Sequence, residues 1–205
     1  MKIGFATLAL ALVIPASSFA SSWEIDNSHT HAGFSVRHMM VSNVKGDFGK
    51  VEGVLQLDDK DVTKSTVEAT IDATTIDTRE PKRDAHLKNP DFFDVEKHPS
   101  ITFKSTKVEK AKGDKLKVTG DLTIKGKTKS VVLNVDFPKT EVALPAQMGG
   151  GVKRGAIATT TINRQDFGVS WNSKLDKGGL AVGDEVAITL EIEFNKRPDA
   201  TAATN

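Results

Sequence analysis

The sequence predicts an all-β, single-domain protein whose strands close into an antiparallel barrel of about eight. Three observations lead there. Apolar residues recur at every second position through most of the chain, the mark of strands with one buried face. No stretch alternates strand with helix in the βαβ manner of a parallel sheet. The one clear exception to period two, between Pro81 and Pro90, reads as a single short polar helix.

The elements follow in order. Residues 1–20 have the form of a secretory signal peptide. Lys2 gives the positive start, Ile3 to Ile14 is apolar, Pro15 breaks the run, and Ser18-Phe19-Ala20 puts small residues at the cleavage site. The apolar run is about twelve residues, against the ~20 a membrane-spanning helix needs, which disfavours an uncleaved anchor. No Cys follows it, so a lipoprotein anchor is excluded. Cleavage after Ala20 leaves residues 21–197 as the folded domain. Residues 198–205, small and polar, read as a disordered tail.

Within the domain, Phe34, Val36, His38 and Met40 form a first inward-facing set. Val51, Gly53, Leu55 and Leu57 form a second, and Val67, Ala69, Ile71 and Ala73 a third. Ile101 and Phe103 mark a short strand. Leu116, Val118, Gly120, Leu122 and Ile124 pair across the turn Lys125-Gly126-Lys127-Thr128 with Val131, Leu133, Val135 and Phe137. Ala156, Ala158, Thr160 and Ile162 give a strand with a small inner face, and Val186, Ile188, Leu190, Ile192 and Phe194 the clearest strand of all. A sandwich also satisfies this pattern, but closure removes the sheet edges that invite pairing with other chains. A barrel of this size either fills with side chains or holds one small ligand. The Gly and Ala residues at inner positions favour room inside. The helix before Pro90, followed by Asp91-Phe92-Phe93-Asp94, is placed to plug or lid one end. Pro138 to Val152, with Gly149-Gly150-Gly151, reads as a long flexible loop.

Composition narrows the chemistry. Lys and Arg number 28 against 27 Asp and Glu, and the leader carries Lys2 away, so no general field attracts nucleic acid or an anionic membrane. The absence of Cys removes disulfides, thiolate nucleophiles and zinc–thiolate sites. Gly126-Lys127-Thr128 lacks the glycine a phosphate-binding loop requires and sits on a hairpin, and Asp166-Phe167-Gly168 has none of the context of a kinase. No Gly-x-Ser-x-Gly elbow is present, and Asp84 with His86 reads as a solvated helix face before it reads as an acid–base pair. His29, His31, His38 and His86 are the candidates for a metal site, with hydrogen-bonded structural roles as the plainer reading. A histidine-based metal-binding protein or metal-dependent enzyme is therefore the alternative function.

Three ordered segments resemble the YceI-like family. The first runs from Asp26 through Ser28-His29-Thr30 to Phe34-Ser35-Val36-Arg37-His38-Met39 and on to Val44-Lys45-Gly46-Asp47-Phe48. The second is Arg83-Asp84-Ala85-His86-Leu87 with Asp91-Phe92-Phe93-Asp94, and the third Asn163 to Trp171. The resemblance covers about Trp23 to Phe194. It implies a lipocalin-like barrel in the bacterial periplasm, with a long apolar pocket for polyisoprenoid chains or similar amphiphiles. It also implies a context of stress response or isoprenoid-quinone handling. A hydrocarbon tail needs no charged anchor, since each buried methylene contributes about 0.8 kcal/mol. The expected lining is Phe34, Val36, His38, Phe48, Leu55, Ile71, Phe103, Leu122, Leu133, Phe167, Trp171 and Ile192, with the ligand's head near Arg37 or His38. The expected protein is a carrier or sequestering protein rather than an enzyme, with a lipid as its partner, no cofactor and no nucleic acid. Transient membrane contact fits such a ligand. Nothing demands a homodimer, for which an exposed edge or the Pro138–Val152 loop would serve.

Overall fold

Twelve strands and one α-helix form among residues 20–176 and 178–198, which the computed structural model describes. The expected leader up to Phe19, and the expected tail beyond Pro198, lie outside these residues. The strands are β1 Ala20–Ile25, β2 His31–His38, β3 Ser42–Phe48, β4 Val51–Asp58, β5 Thr66–Asp72 and β6 Ile76–Asp77. After the helix α1, Pro81–Lys88, come β7 Ser100–Lys110, β8 Lys115–Ile124, β9 Lys127–Asp136, β10 Val142–Ala143, β11 Val152–Asn163 and β12 Val182–Lys196.

Eight of them close a ring in the order β11, β9, β8, β7, β5, β4, β1, β12 and back to β11, with every pairing antiparallel. The fifteen-residue β12 makes closure possible. One of its edges pairs with β11 from Glu185 to Asn195. Its other edge is shared: Phe194 to Lys196 pair with β1, and Val182 to Glu191 with β2. The segment β2–β3–β6 thus extends the wall beyond β12 towards α1. The registers put Trp23, Leu57 and Phe194 at one end, called the floor, and His38, Ile124, Ile162 and α1 at the other.

Several elements differ from the sequence pattern for identifiable reasons. The strand through Phe34, Val36 and His38 stops before Met40, because Met39 (φ +48°) and Met40 (φ +61°) are the central residues of a tight turn closed by Val41 N–H on His38 O at 3.1 Å. The short strand at Ile101 and Phe103 is in fact the eleven-residue β7. A register shift between Ser105 and Lys107 reverses its inside–outside alternation, which hides its second half from a period-two reading. Ala73 lies in a 3₁₀ turn capped by Asp72, beyond the end of β5. Strands β1 and β3 lie outside the strands that the sequence pattern marks.

The inner glycines also act differently. A Cβ on Gly120 would lie 2.4 Å from the Phe103 ring, one on Gly46 would lie 2.5 Å from the Phe34 ring, and one on Gly53 would lie 2.8 Å from Ile25 Cδ1. These glycines seat neighbouring side chains and open no space. The room comes from Ala32, Ala156 and Ala158, all buried on the inner face.

Helix α1 starts as the sequence indicates. Pro81 occupies its first turn, and the Glu80 carboxylate accepts from the Lys82 and Arg83 amides. The Pro138–Val152 loop carries β10, which pairs with the start of β11 near the floor, so it lies far from α1.

Candidate functional site

The barrel is hollow. Along β9 the inward Val131, Leu133 and Val135, and along β12 the inward Val186, Ile188, Leu190 and Ile192, remain half-exposed while facing the interior. In a side-chain-filled barrel these positions would be buried. The space they border is a cavity of about 540 Å³, within the range of pockets that hold drug-sized ligands. Its wall is almost wholly hydrocarbon.

All twelve residues expected at the lining are on the wall: Phe34, Val36, His38, Phe48, Leu55, Ile71, Phe103, Leu122, Leu133, Phe167, Trp171 and Ile192. Arg37 borders it beside His38. The helix and the segment after it close one end of the barrel as the sequence indicates, although the expected lining named none of their residues. His86 and Leu87 on α1, and Phe92 and Phe93 after it, also line the cavity. The ring of His86 stands edge-on to Phe92 at 5.0 Å and to Trp171 at 5.2 Å, and Phe92 lies 5.4 Å from Trp171. Phe48 links Phe34 and Phe93, at 5.8 Å from each. The signal was present in the sequence as two adjacent aromatics after a polar helix.

The roof is held by polar clamps. The Asp84 carboxylate accepts from the Thr78 amide at 2.9 Å and the Thr78 hydroxyl at 2.5 Å, while Arg83 donates to the hydroxyl and carbonyl of the same threonine, each at 2.7 Å. Asp84 is therefore engaged in fixing α1, in place of the solvated face expected for it. Lys125, at the β8–β9 turn, donates to Pro90 O at 2.6 Å and Gly168 O at 3.1 Å, which ties that turn to both roof segments.

Two buried arginines were not anticipated. Arg164, on the roof side, donates to the carbonyls of Val169 (2.6 Å), Gly183 (2.8 Å), Trp171 (2.9 Å) and Val182 (3.2 Å), and to Asp184 Oδ1 at 3.2 Å. Burial pulls its guanidinium below the ordinary arginine range, and Asp184 opposes that pull. Arg154, at the floor, lies over the rings of Phe137 at 4.3 Å and Trp23 at 5.2 Å and pairs with Glu141 at 3.4 Å.

The histidines are dispersed. His29 lies 3.1 Å from Asp26 and 3.6 Å from Glu193, His31 pairs with Asp47 at 3.0 Å, His86 with Asp91 at 3.1 Å, and His38 faces the cavity. Asp26, His29 and Glu193 converge closely enough to share a cation, but the Lys153 ammonium already sits there, 2.7 Å from Asp26 and 2.5 Å from Glu193. Hydrogen bonding by Lys153, and then by Ser28, holds the Asp26 carboxyl well below the usual carboxylate range, and Asp26 in turn raises Lys153. A depressed carboxylate stabilises the fold above its unfolded value of about 4 and loses that contribution as pH falls below it. Acid melts should therefore show a falling transition temperature below about pH 4. Asp26→Asn should lower stability at neutral pH by about 1–2 kcal/mol and flatten that acid limb. Calorimetry of both proteins from about pH 2 to 8 would check this.

Comparison with known proteins agrees with this architecture. The family model for the YceI-like domain matches residues 23–194. UPF0312 proteins of Staphylococcus aureus are 34% identical over 175 residues, covering 85% of this chain and 98% of theirs. The crystal structure of BcnA from Burkholderia cenocepacia superposes with a TM-score of 0.71 at 25% identity, over 82% of this chain and 98% of that one. A polyisoprenoid binding domain from Saccharophagus degradans shares the fold with a TM-score of 0.59 at 11% identity, over 85% of this chain and 98% of that domain. With a hollow eight-strand barrel, an aromatic roof and a family match across the whole barrel, this chain belongs to the YceI-like family.

Proposed function

We propose that the chain is a binding protein rather than an enzyme. It holds an isoprenoid or similar long-chain amphiphile in the barrel, for carriage, storage or sequestration in the periplasm after export. One observation carries this reading: a wall of inward Val, Ile, Leu and Phe side chains left half-exposed around a hollow barrel. Apolar surface in that state is stabilised by burying hydrocarbon, at about 0.8 kcal/mol per methylene. The polyisoprenoid binding domain from Saccharophagus degradans supports the reading at the level of the shared fold. The twelve lining residues contact the tail, and the polar side chains at the roof end, Arg37 and His38 among them, leave a place for a small head group.

Native mass spectrometry of the protein freshly isolated from producing cells tests the assignment. The expected spectrum shows the chain plus one organic-extractable lipid, and the stripped protein then takes up a prenol or an isoprenoid quinone with one-to-one stoichiometry. A bare chain that also refuses both lipids would refute it. Stoichiometric metal removed by chelator, with loss of stability, would favour the histidine-based alternative.

A further inference from the structure

The turn between β2 and β3 has an unusual composition for its geometry. A β-turn with both central residues at positive φ normally carries Asn or Gly, because a bulky side chain is strained there. Here the two positions are Met39 and Met40. Packing engages these side chains only in part: Met40 Sδ lies against Gly179, where a Cβ would come within 2.4 Å of it, yet Met39 is 41% exposed, Met40 60% and the following Val41 79%. Leu180, 40% exposed, joins them from the neighbouring loop, which is pinned to the turn by Met39 N–H on Ala181 O at 2.8 Å. Other large exposed apolar side chains among the described residues, Val132 and Ile157 on the outer wall and Val142 and Met148 near the floor, lie elsewhere.

The position of this tip matters. Arg37 and His38 immediately precede it and border the cavity, as does Val182, two residues after Leu180. The apolar tip therefore adjoins the roof end of the cavity. Cationic Arg37, Lys82 and Arg83 border that end, and Lys174 lies exposed on the same loop as Leu180. The acids nearby are Glu80, whose carboxylate caps α1, Asp84, held by Thr78, Asp184, paired with Arg164, and the exposed Asp176 and Glu185. Side chains of intermediate length and apolar character, rimmed by cations, fit the interface of a phospholipid bilayer, with hydrocarbon below and phosphates beside.

We propose that Met39, Met40, Val41 and Leu180 form a membrane-docking tip that seats the cavity's roof end on a phospholipid bilayer, so that a lipid tail passes between bilayer and barrel without crossing water. This rests on the carrier reading above. The contact is small, and the near-neutral chain adds no long-range attraction, so docking is brief and reversible.

Flotation of the protein with phosphatidylethanolamine–phosphatidylglycerol vesicles tests it, alongside uptake of farnesol from vesicle-free solution. Wild-type protein should float with the vesicles. The double variant Met40→Glu/Val41→Glu should float at least fivefold less while taking up farnesol from solution normally. Val132→Glu, which places a charge on the outer wall, should behave as wild type in both. Thermal melts establish that all three are folded. A double variant that floats like wild type overturns the proposal. So does a result in which the substitutions break up a dimer seen by sedimentation without changing flotation, since the tip would then be a self-association surface. Wild-type protein that takes up farnesol but does not float sinks the docking tip and leaves the carrier reading standing. Flotation without any farnesol uptake sinks the carrier reading instead.

Discussion

Arg164→Leu is expected to destabilise the protein by about 4 kcal/mol, the cost typical of removing one member of a buried charged network. The side chain is 5% exposed and reaches four main-chain carbonyls and one carboxylate. Leucine fills part of the volume but leaves those acceptors without donors, and each orphaned buried group costs its desolvation. For a domain of this size, that loss should lower Tm by roughly 8–16 °C. Arg164→Lys should recover little, because a single ammonium cannot span acceptors spread over the Val169–Trp171 and Val182–Asp184 segments. A local signature should accompany the loss. The chain has two tryptophans, and Trp23 is fully buried at the floor, so a red shift in emission at temperatures below the melt would report Trp171 leaving the roof. A destabilisation below about 1 kcal/mol, or unchanged emission, would mean that the loop is held by other contacts.

Arg164 also marks the point at which sequence reasoning stops. Strands β4, β5, β8, β9 and β12 were legible because each keeps its inward face apolar or small at every second position, as Val186 to Phe194 does. Strand β7 was half legible, since the shift between Ser105 and Lys107 breaks the period on which the reading depends. Strand β1 escaped because it is short and abuts the apolar leader, although it contributes the most deeply buried side chain, Trp23. The lining could be listed in advance because inward register on a closed sheet is a local property. The clamps could not. Arg164, Arg154 and Lys153 are ordinary charged residues in the sequence, and only the return of distant segments makes them buried. Lys153 meets Asp26 across 127 residues. The resemblance pointed at Asp26, Arg83, Asp84 and Arg164 as parts of shared segments without saying what they do. In the folded chain they share one role. Each fastens a turn, helix or loop at the barrel's rim, and the cavity wall is left to hydrocarbon.

Filling that wall is the sharpest test of what it is for. Ala158→Phe should weaken lipid binding by roughly a hundredfold while the barrel stays folded. Ala158 is 3% exposed, sits mid-way along β11 between Val135 and Leu190, and points inward. A phenyl ring there projects into the cavity. If it displaces about four methylenes of a tail, the loss is about 3 kcal/mol, which is the expected factor. The same ring in a filled core would have to force its neighbours aside, at about 1–3 kcal/mol or more. In a hollow barrel it finds space and takes apolar surface out of water, so stability should hold or rise. The two accounts thus predict opposite changes in Tm from one substitution. Thr159→Phe is the control, since the next residue on the same strand faces outward and is exposed, and it should bind lipid as the wild type does. Isothermal titration with a prenol, together with thermal melts of the three proteins, gives both readings. Unchanged affinity in Ala158→Phe would place the lipid outside the barrel. A large drop in Tm would mean that the inner wall is packed, and that the space between the strands is no binding site.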